Sequence, residues 1–232
     1  IIGIVNGLVK TVIITDDTTI PASAFSGWTY IESITIPSTV TSIGTYAFQN
    51  CSGLKYLNSE EAGVFNIPTS VVMITDYVFY GCSQAVNFTM GEVETIGSNS
   101  FYNCSLVEYF NSETQYKIEI PSTVISVGEY AFNGLTLIKE VYVPEKLETI
   151  GNGAFKGCNS IEKITLPFVG AKDGVEDYTS VFGYIFGYSR SSLSGWIDGS
   201  IVSSAKFINE KTGTAPSGTI WQFSNVGSYD SY

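Results

Sequence analysis

The chain contains no histidine, and its 11 Lys and Arg residues are outnumbered by 22 Asp and Glu residues, which gives a net charge of −11. Without an imidazole, Ser-His-Asp and Cys-His catalysis and histidine zinc sites are excluded. The chain has too few Lys and Arg side chains to bind the phosphates of a nucleic acid or an anionic membrane surface. We therefore expect no catalytic residues, no metal site, no cofactor and no nucleic-acid partner.

Long apolar runs are also missing, because no stretch approaches the roughly 20 apolar residues that span a bilayer. No membrane insertion by this segment is expected. The sequence begins Ile1-Ile2-Gly3-Ile4, without an initiator Met or a basic leader, which is typical of a processed or excised piece of a longer protein.

The residues that are abundant favour short strands joined by tight turns. Hydrophobic residues make up 44% of the chain and aromatic residues 14%, and 23 residues are Gly. Thr, Val and Ile recur throughout, and β-branched and aromatic residues suit strands. The composition predicts a mainly β fold with little helix.

An internal repeat organises the chain. A clear copy runs from Ile36 to Leu54 as IPSTVTSIGTYAFQNCSGL, and Ile120 begins a nearly identical one. Anchoring phenylalanines recur at Phe25, Phe48, Phe79, Phe101, Phe132 and Phe155, so the spacings are 23, 31, 22, 31 and 23. Because one coil cannot bury its own apolar face, the coils must stack, and the phenylalanines should form a continuous aromatic spine.

Short and long coils alternate in this repeat. The longer coils carry extra residues after matching Asn-Ser-Glu starts at Asn58 and Asn111. We interpret these extra residues as loops that bulge from every second coil, on the side where repeat proteins often place contacts. The Gly that follows each Val-x-x-Ile segment, such as Gly44, suits either a positive φ or close packing.

The Ile-Pro, Val-x-x-Ile-Gly and Ala-Phe-x-x-Cys segments resemble the BspA-like leucine-rich repeat family over roughly residues 9 to 167. The resemblance implies a right-handed, curved solenoid with short parallel strands. It also implies secretion or a cell-surface location and roles in adhesion and host interaction.

Two regions of one domain are expected. Residues 1–167 form the leucine-rich repeat solenoid of about six repeats, and residues 168–232 form a distorted final repeat with a C-terminal β-rich cap or an expanded repeat. Phe186 lies 31 residues after Phe155, which matches the longer spacing. Residues 201–208 and 219–223 could pair as a hairpin that protects the last coil.

The four cysteines occupy one column of the repeat. Cys51, Cys82, Cys104 and Cys158 each lie three residues after an anchoring Phe. Two other copies place Trp28 and Leu135 there, so the position belongs to the core, where free Cys behaves as a small hydrophobe. We predict buried free thiols rather than disulfides.

Outward-facing strand residues are the candidate binding residues, since Tyr and Asn combine rigid contact area with adaptable hydrogen bonding. The candidates are Tyr56, Asn58, Asn87, Tyr109, Asn111, Glu140, Tyr142 and Lys163. Tyr and Thr also simply suit exposed strand positions, so a structural role for them stays open.

The sequence favours a non-enzymatic recognition module that binds an extracellular or host protein. Glycan binding by an aromatic platform at Trp196 and Trp221 is one alternative. A structural spacer in a larger surface protein is another.

Overall fold

The structure, a computed structural model, describes residues 8–168, 170–172, 182–187, 205–207 and 219–225. In chain order its strands are β1 (Thr11–Ile13), β2 (Thr19–Ile20), β3 (Ser33–Thr35), β4 (Ser42–Ile43), β5 (Tyr56–Leu57), β6 (Val64–Asn66), β7 (Met73–Ile74), β8 (Asn87–Thr89), β9 (Thr95–Ile96), β10 (Tyr109–Phe110), β11 (Lys117–Glu119), β12 (Ser126–Val127), β13 (Glu140–Tyr142), β14 (Thr149–Ile150), β15 (Lys163–Leu166), β16 (Ala205–Phe207) and β17 (Thr219–Asn225). The helical content of the described residues is one 3₁₀ segment, Phe182–Phe186.

The strands form two sheets on opposite sides of one core. The front sheet has the order β1-β3-β5-β6-β8-β10-β11-β13-β15-β17-β16, and the back sheet has the order β14-β12-β9-β7-β4-β2. From β1 to β15, and throughout the back sheet, neighbouring strands are parallel. The predicted fold class, a β-solenoid of short parallel strands with little helix, is confirmed.

Alternation along each front strand explains its formation. In β3 the middle residue Ile34 is fully buried, while Ser33 and Thr35 are directed outward. The same buried column contains Leu57, Phe65, Phe88, Phe110, Ile118, Val141 and Ile164. A period of two is the pattern expected of a sheet with one face on the core and one in solvent.

The predicted phenylalanine spine is present between the two sheets. Consecutive spine rings from Phe25 to Phe155 stack nearly parallel, with centroids 5.3 to 5.7 Å apart. The spacing is 5.4 Å across the long coil from Phe48 to Phe79 and 5.5 Å across the short coil from Phe25 to Phe48. Long and short coils therefore advance equally along the spine.

Gly44 illustrates why the glycine after each Ile is required. Its backbone does not adopt a positive φ. A Cβ at Gly44 would lie only 2.4 Å from the Ala22 nitrogen of the preceding coil, so close packing is the reason. Each coil instead has one positive φ two residues before the spine Phe, as at Tyr46 (φ 62°), and another two residues after it, where Asn50 (φ 56°) and Gly81 (φ 71°) are found. Asn and Gly tolerate that conformation better than other residues.

The cysteine column is buried and free, as predicted. Each thiol donates to the carbonyl oxygen of the spine Phe in the preceding coil, for example Cys51 Sγ to Phe25 O at 3.0 Å and Cys158 Sγ to Phe132 O at 3.1 Å. Burial raises the pKa of Cys51 and of Cys158 to about 12 and raises the pKa of Cys82 and Cys104 as well. The column thus satisfies backbone carbonyls inside the core while its thiols stay protonated.

The extra residues of each long coil form a loop followed by an additional strand, so the interpretation as bulging loops was right only in part. Each insertion leaves the front sheet, folds back, and re-enters it as a strand, β6 in one coil and β11 in the other. Phe65 pairs with Leu57 on one side and with Phe88 on the other, and it is fully buried. The buried Phe65 and Ile118 give each insertion its own contact with the core.

Antiparallel pairing follows the last parallel strand. β17 pairs with β15, and β16 pairs with β17. Phe186 is buried, and Ile185 O accepts from Phe155 N at 2.8 Å, just as the residue before each spine Phe does in earlier coils. The division of the chain at residue 167 stays a prediction. No helix within the described ranges is long and apolar enough to cross a membrane.

We predict that the four thiols of the native protein resist alkylation by iodoacetamide at pH 8.5, because the reactive thiolate is disfavoured by burial. In urea above the unfolding transition, all four should react at the rate of a free cysteine. Mass spectrometry of the alkylated protein measures both rates. Native labelling as fast as labelling in urea would contradict the buried column.

A candidate binding surface on the front sheet

The outward residues of the front sheet form two parallel rows. In the first row, the strand register places Asn87 beside Tyr109 and Glu140 beside Lys163. The complete first row is Thr11, Ser33, Tyr56, Val64, Asn87, Tyr109, Lys117, Glu140 and Lys163. The second row contains Tyr142, which is 36% exposed. Six of the eight predicted candidates therefore share one continuous surface.

The sequence analysis missed Thr11 of β1 and four residues on the insertions, namely Val64, Asn66, Lys117 and Glu119. These four belong to the insertion strands β6 and β11, whose residues were interpreted as loops. A signal was present in the sequence. Val64-Phe65-Asn66-Ile67-Pro68 repeats the polar-apolar-polar-Ile-Pro pattern of residues 33–37, except that Val replaces the first polar residue.

Asn58 has a structural role. Its backbone is left-handed, with φ of 50°. Its Oδ1 accepts from Ile36 N at 2.6 Å, and its Nδ2 donates to Asn66 O at 3.0 Å, while Asn66 Nδ2 donates back to Asn58 O at 3.0 Å. The side chain pins the start of the insertion to both neighbouring strands, so its amide is already engaged within the fold.

Asn111 repeats the left-handed backbone and the Oδ1 contact in the second long coil. Its φ is also 50°, and its Oδ1 accepts from Met90 N at 3.2 Å. Both asparagines thus hold the turns at which the insertions leave the sheet. Both side chains therefore help to shape the surface, and Asn111 also borders the space between the two insertions.

The insertions stand on the outer face of the front sheet as two ridges. The first ridge, residues 59–63, returns to the start of β5, where Gly63 N donates to Lys55 O at 2.7 Å. The second ridge, residues 112–116, returns in the same way, with Tyr116 N donating to Glu108 O at 2.5 Å. Three strand spacings separate the ridges, a distance of about 14 Å at ~4.8 Å per strand.

A groove of about 530 Å³ lies between the ridges. Its floor contains Asn87 and Thr89 of β8 and Tyr109 of β10, and its sides carry Glu61 and Glu113. It is open to solvent, and the ridges leave room for about one extended chain, since packed β-layers lie ~10 Å apart.

Asn87 stands out on the groove floor. Its Oδ1 is shielded from solvent and has no hydrogen-bond partner in the described part of the chain. Thr89, by contrast, donates its hydroxyl to Asn66 Oδ1 at 2.6 Å. A buried acceptor without a donor lowers the free energy of unfolding by about 1–3 kcal/mol. Asn87 is therefore destabilising at this position.

Charges alternate on the C-terminal half of the first row. Lys163 Nζ lies 2.8 Å from Glu140 Oε1, and Lys117 Nζ lies 3.4 Å from Glu119 Oε2. Such partly exposed pairs contribute at most about 1 kcal/mol each. Glu140 and Lys163 therefore largely neutralise each other, and the uncompensated charge of the surface lies at the groove.

The structure describes little of the two tryptophans on which the glycan alternative rests. Trp196 lies outside the described residues. For Trp221 the backbone alone is described, in β17, where it pairs with Ile164. The aromatic platform stays a prediction.

The repeat and the two-sheet geometry agree with a known family. The sequence matches the BspA type leucine rich repeat region in six copies over residues 8–115 and 107–179. The chain belongs to the BspA-type leucine-rich repeat family. No curated protein matches it by sequence.

Solved structures of leucine-rich repeat proteins share the fold. One from Bacteroides ovatus is 31% identical, with a TM-score of 0.58, and the alignment covers 71% of this chain and 41% of that one. The Treponema pallidum leucine rich repeat protein is 20% identical, with a TM-score of 0.57 and coverage of 67% and 69%. A leucine rich cell surface protein from Faecalibacterium prausnitzii is 24% identical, with a TM-score of 0.52 and coverage of 68% and 48%. This BspA-type chain thus spans less than half the length of its B. ovatus relative.

We predict that Asn58→Ala lowers the free energy of unfolding of this BspA-type protein by about 2–4 kcal/mol. The change removes two hydrogen bonds and leaves an Ala in a left-handed conformation. Asn58→Gly removes the same bonds but relieves the backbone, so it should cost about 1 kcal/mol less than Asn58→Ala. Urea denaturation followed by circular dichroism measures both. Equal and negligible effects would contradict the pinning role.

Asn87→Val should instead raise the free energy of unfolding by about 1–2 kcal/mol, because it removes the unpaired acceptor and adds a β-branched residue. Ser100→Ala is the matched control. Ser100 Oγ is also buried and unpaired, in a column that is Ala at positions 47, 131 and 154 and lies away from the groove. Urea denaturation should show stabilisation in both variants, and a destabilised Asn87→Val would show that the amide supports the fold.

Proposed function

We propose that this chain is a non-enzymatic recognition module, secreted or at a cell surface, that binds an extracellular or host protein through the front sheet. The observation that carries the proposal is the groove between the two insertion ridges. Its floor contains Asn87 and Tyr109, and the rest of the first row extends the same surface on both sides.

The shape of this surface favours a protein partner over a small molecule. Small-molecule sites are usually concave and bury most of the ligand. Here the groove is an open trough within a much longer row of outward side chains. Such a surface suits a partner that contacts several coils, with affinity from many modest contacts and a few tyrosine anchors.

Family membership supports the same class of function. Leucine-rich repeat proteins of this type are generally binding scaffolds, and the chain has no histidine for the commonest general base. The surface or secreted location is the one that the family resemblance implies. Adhesion to a host is the finer form of the proposal.

The experiment is a screen of the purified chain against an array of host extracellular proteins and oligosaccharides. The front variant combines Tyr56→Ala, Tyr109→Ala and Tyr142→Ala. The matched back variant combines Val72→Ala, Met73→Ala and Thr149→Ala, on or beside β7 and β14, and all three of these residues are exposed. We expect a protein hit that weakens at least tenfold in the front variant and less than threefold in the back variant.

Other outcomes would overturn the proposal. A protein hit that survives in a folded front variant would place recognition elsewhere. Oligosaccharide binding without a protein hit would favour the glycan alternative at Trp196 and Trp221. No binding to any array from the relevant host would favour the spacer.

A further inference from the structure

The carboxylates that flank the groove lack the lysine partners that four other acidic groups on or next to the front-sheet strands have. Those four lie within 4 Å of a lysine, in the pairs Lys10–Glu32, Lys117–Glu119, Lys139–Glu162 and Lys163–Glu140. Glu61 and Glu113 are exposed and form no ion pair within the described part of the chain. The groove thus has a negatively charged side on each ridge.

The cation nearest to the groove in the first row does not compensate these charges. Lys117 follows Tyr109 in that row, but its ammonium group is paired with Glu119 at 3.4 Å. The chain as a whole carries twice as many acidic as basic residues. The field at the groove is therefore negative and attracts a cationic partner.

The floor of the groove offers two further groups that a cation prefers. Asn87 Oδ1 is an acceptor with no donor among the described residues, and because it is shielded from solvent, a cation reaches it when the side-chain amide rotates. Tyr109 makes no ring–ring or cation–π contact with another described residue, in contrast to Tyr116, whose ring lies 5.8 Å from Lys139 Nζ. A Lys or Arg side chain can donate to an amide oxygen and can lie over a tyrosine ring, whereas a carboxylate can do neither.

We propose that the groove receives an extended, Lys- or Arg-bearing segment of the partner protein, with the cations held between Glu61 and Glu113 above Asn87 and Tyr109. This proposal rests on the proposed function and names the chemistry of the partner. An extended segment fits because the groove is about one chain wide. Asn87 turns its amide toward the bound cation, which supplies the missing donor.

The test uses a fluorescein-labelled decapeptide of alternating Lys and Gly, with an alternating Glu and Gly decapeptide as its counterpart. Binding to the full chain is measured by fluorescence anisotropy at about 0.15 M salt, where exposed charges more than ~8 Å apart are largely screened. We expect the Lys peptide to bind and the Glu peptide not to bind. Failure of the Lys peptide to bind would overturn the proposal.

Two double variants with the same change in net charge separate a groove site from general attraction. Glu61→Gln with Glu113→Gln should weaken binding of the Lys peptide at least tenfold. Glu145→Gln with Glu148→Gln removes two exposed carboxylates that lie outside the groove, and it should change binding less than twofold. Equal weakening in the two variants would show non-specific attraction and would contradict the proposal.

A second pair of variants tests the groove floor without a risk of unfolding. Asn87→Val and Ser100→Ala are both expected to stabilise the fold, but the first should weaken binding of the Lys peptide at least threefold and the second should leave it unchanged. Equal binding in both would remove Asn87 from the site.

The protein partner from the array distinguishes failure of this inference from failure of the proposed function. If the partner loses affinity in the tyrosine front variant but not in Glu61→Gln with Glu113→Gln, the cationic segment is wrong and the front-sheet module stands. If neither variant affects the partner, both proposals fail.

Discussion

Stacking of the spine phenylalanines is the constraint on which the rest of the fold depends. The rings from Phe25 to Phe155 repeat every 5.3 to 5.7 Å, although the coils between them differ by eight or nine residues. Close-packed aromatic cores cannot stretch to take up extra chain. The additional residues of a long coil must therefore leave the core layer, and they enter the front sheet as β6 and β11.

Unequal sheets follow from this constraint. Six coils supply six strands to the back sheet, while the front sheet has eight strands from β1 to β13. At ~4.8 Å per strand the front is about 10 Å longer than the back. The same insertions raise the two ridges, so a single feature of the sequence, the alternation of coil lengths, produces both the length of the front surface and the groove on it.

The sequence predicted the features that depend on residues recurring at the same position of every repeat. A position that accepts Cys, Trp or Leu in different copies is a core position, and the structure buries Cys51 and Leu135 there. The insertions were harder to predict because aligning the copies on their phenylalanines treats everything extra as loop. Their strand character depends on Phe65 and Ile118 reaching the core, which the pattern before each Ile-Pro already indicated.

Asn58 and Asn111 show a second limit. Sequence reasoning placed them among outward strand residues, where an amide is free to bind a ligand. In the structure both have a positive φ and their oxygens accept from the backbone of a preceding coil. A left-handed residue at the end of a two-residue strand has no periodic signature. Only the Asn-Ser-Glu starts shared by the two insertions marked these positions.

Hydrogen exchange followed by nuclear magnetic resonance shows whether β6 and β11 are sheet strands that position the groove. We predict that the amides of Phe65 and Ile118 are protected as strongly as those of Ile34 and Phe88 in the regular strands, while the ridge amides of Glu60 and Thr114 exchange rapidly. Exchange of Phe65 and Ile118 as fast as that of the ridge residues would make the insertions loops after all and would leave the groove without its walls.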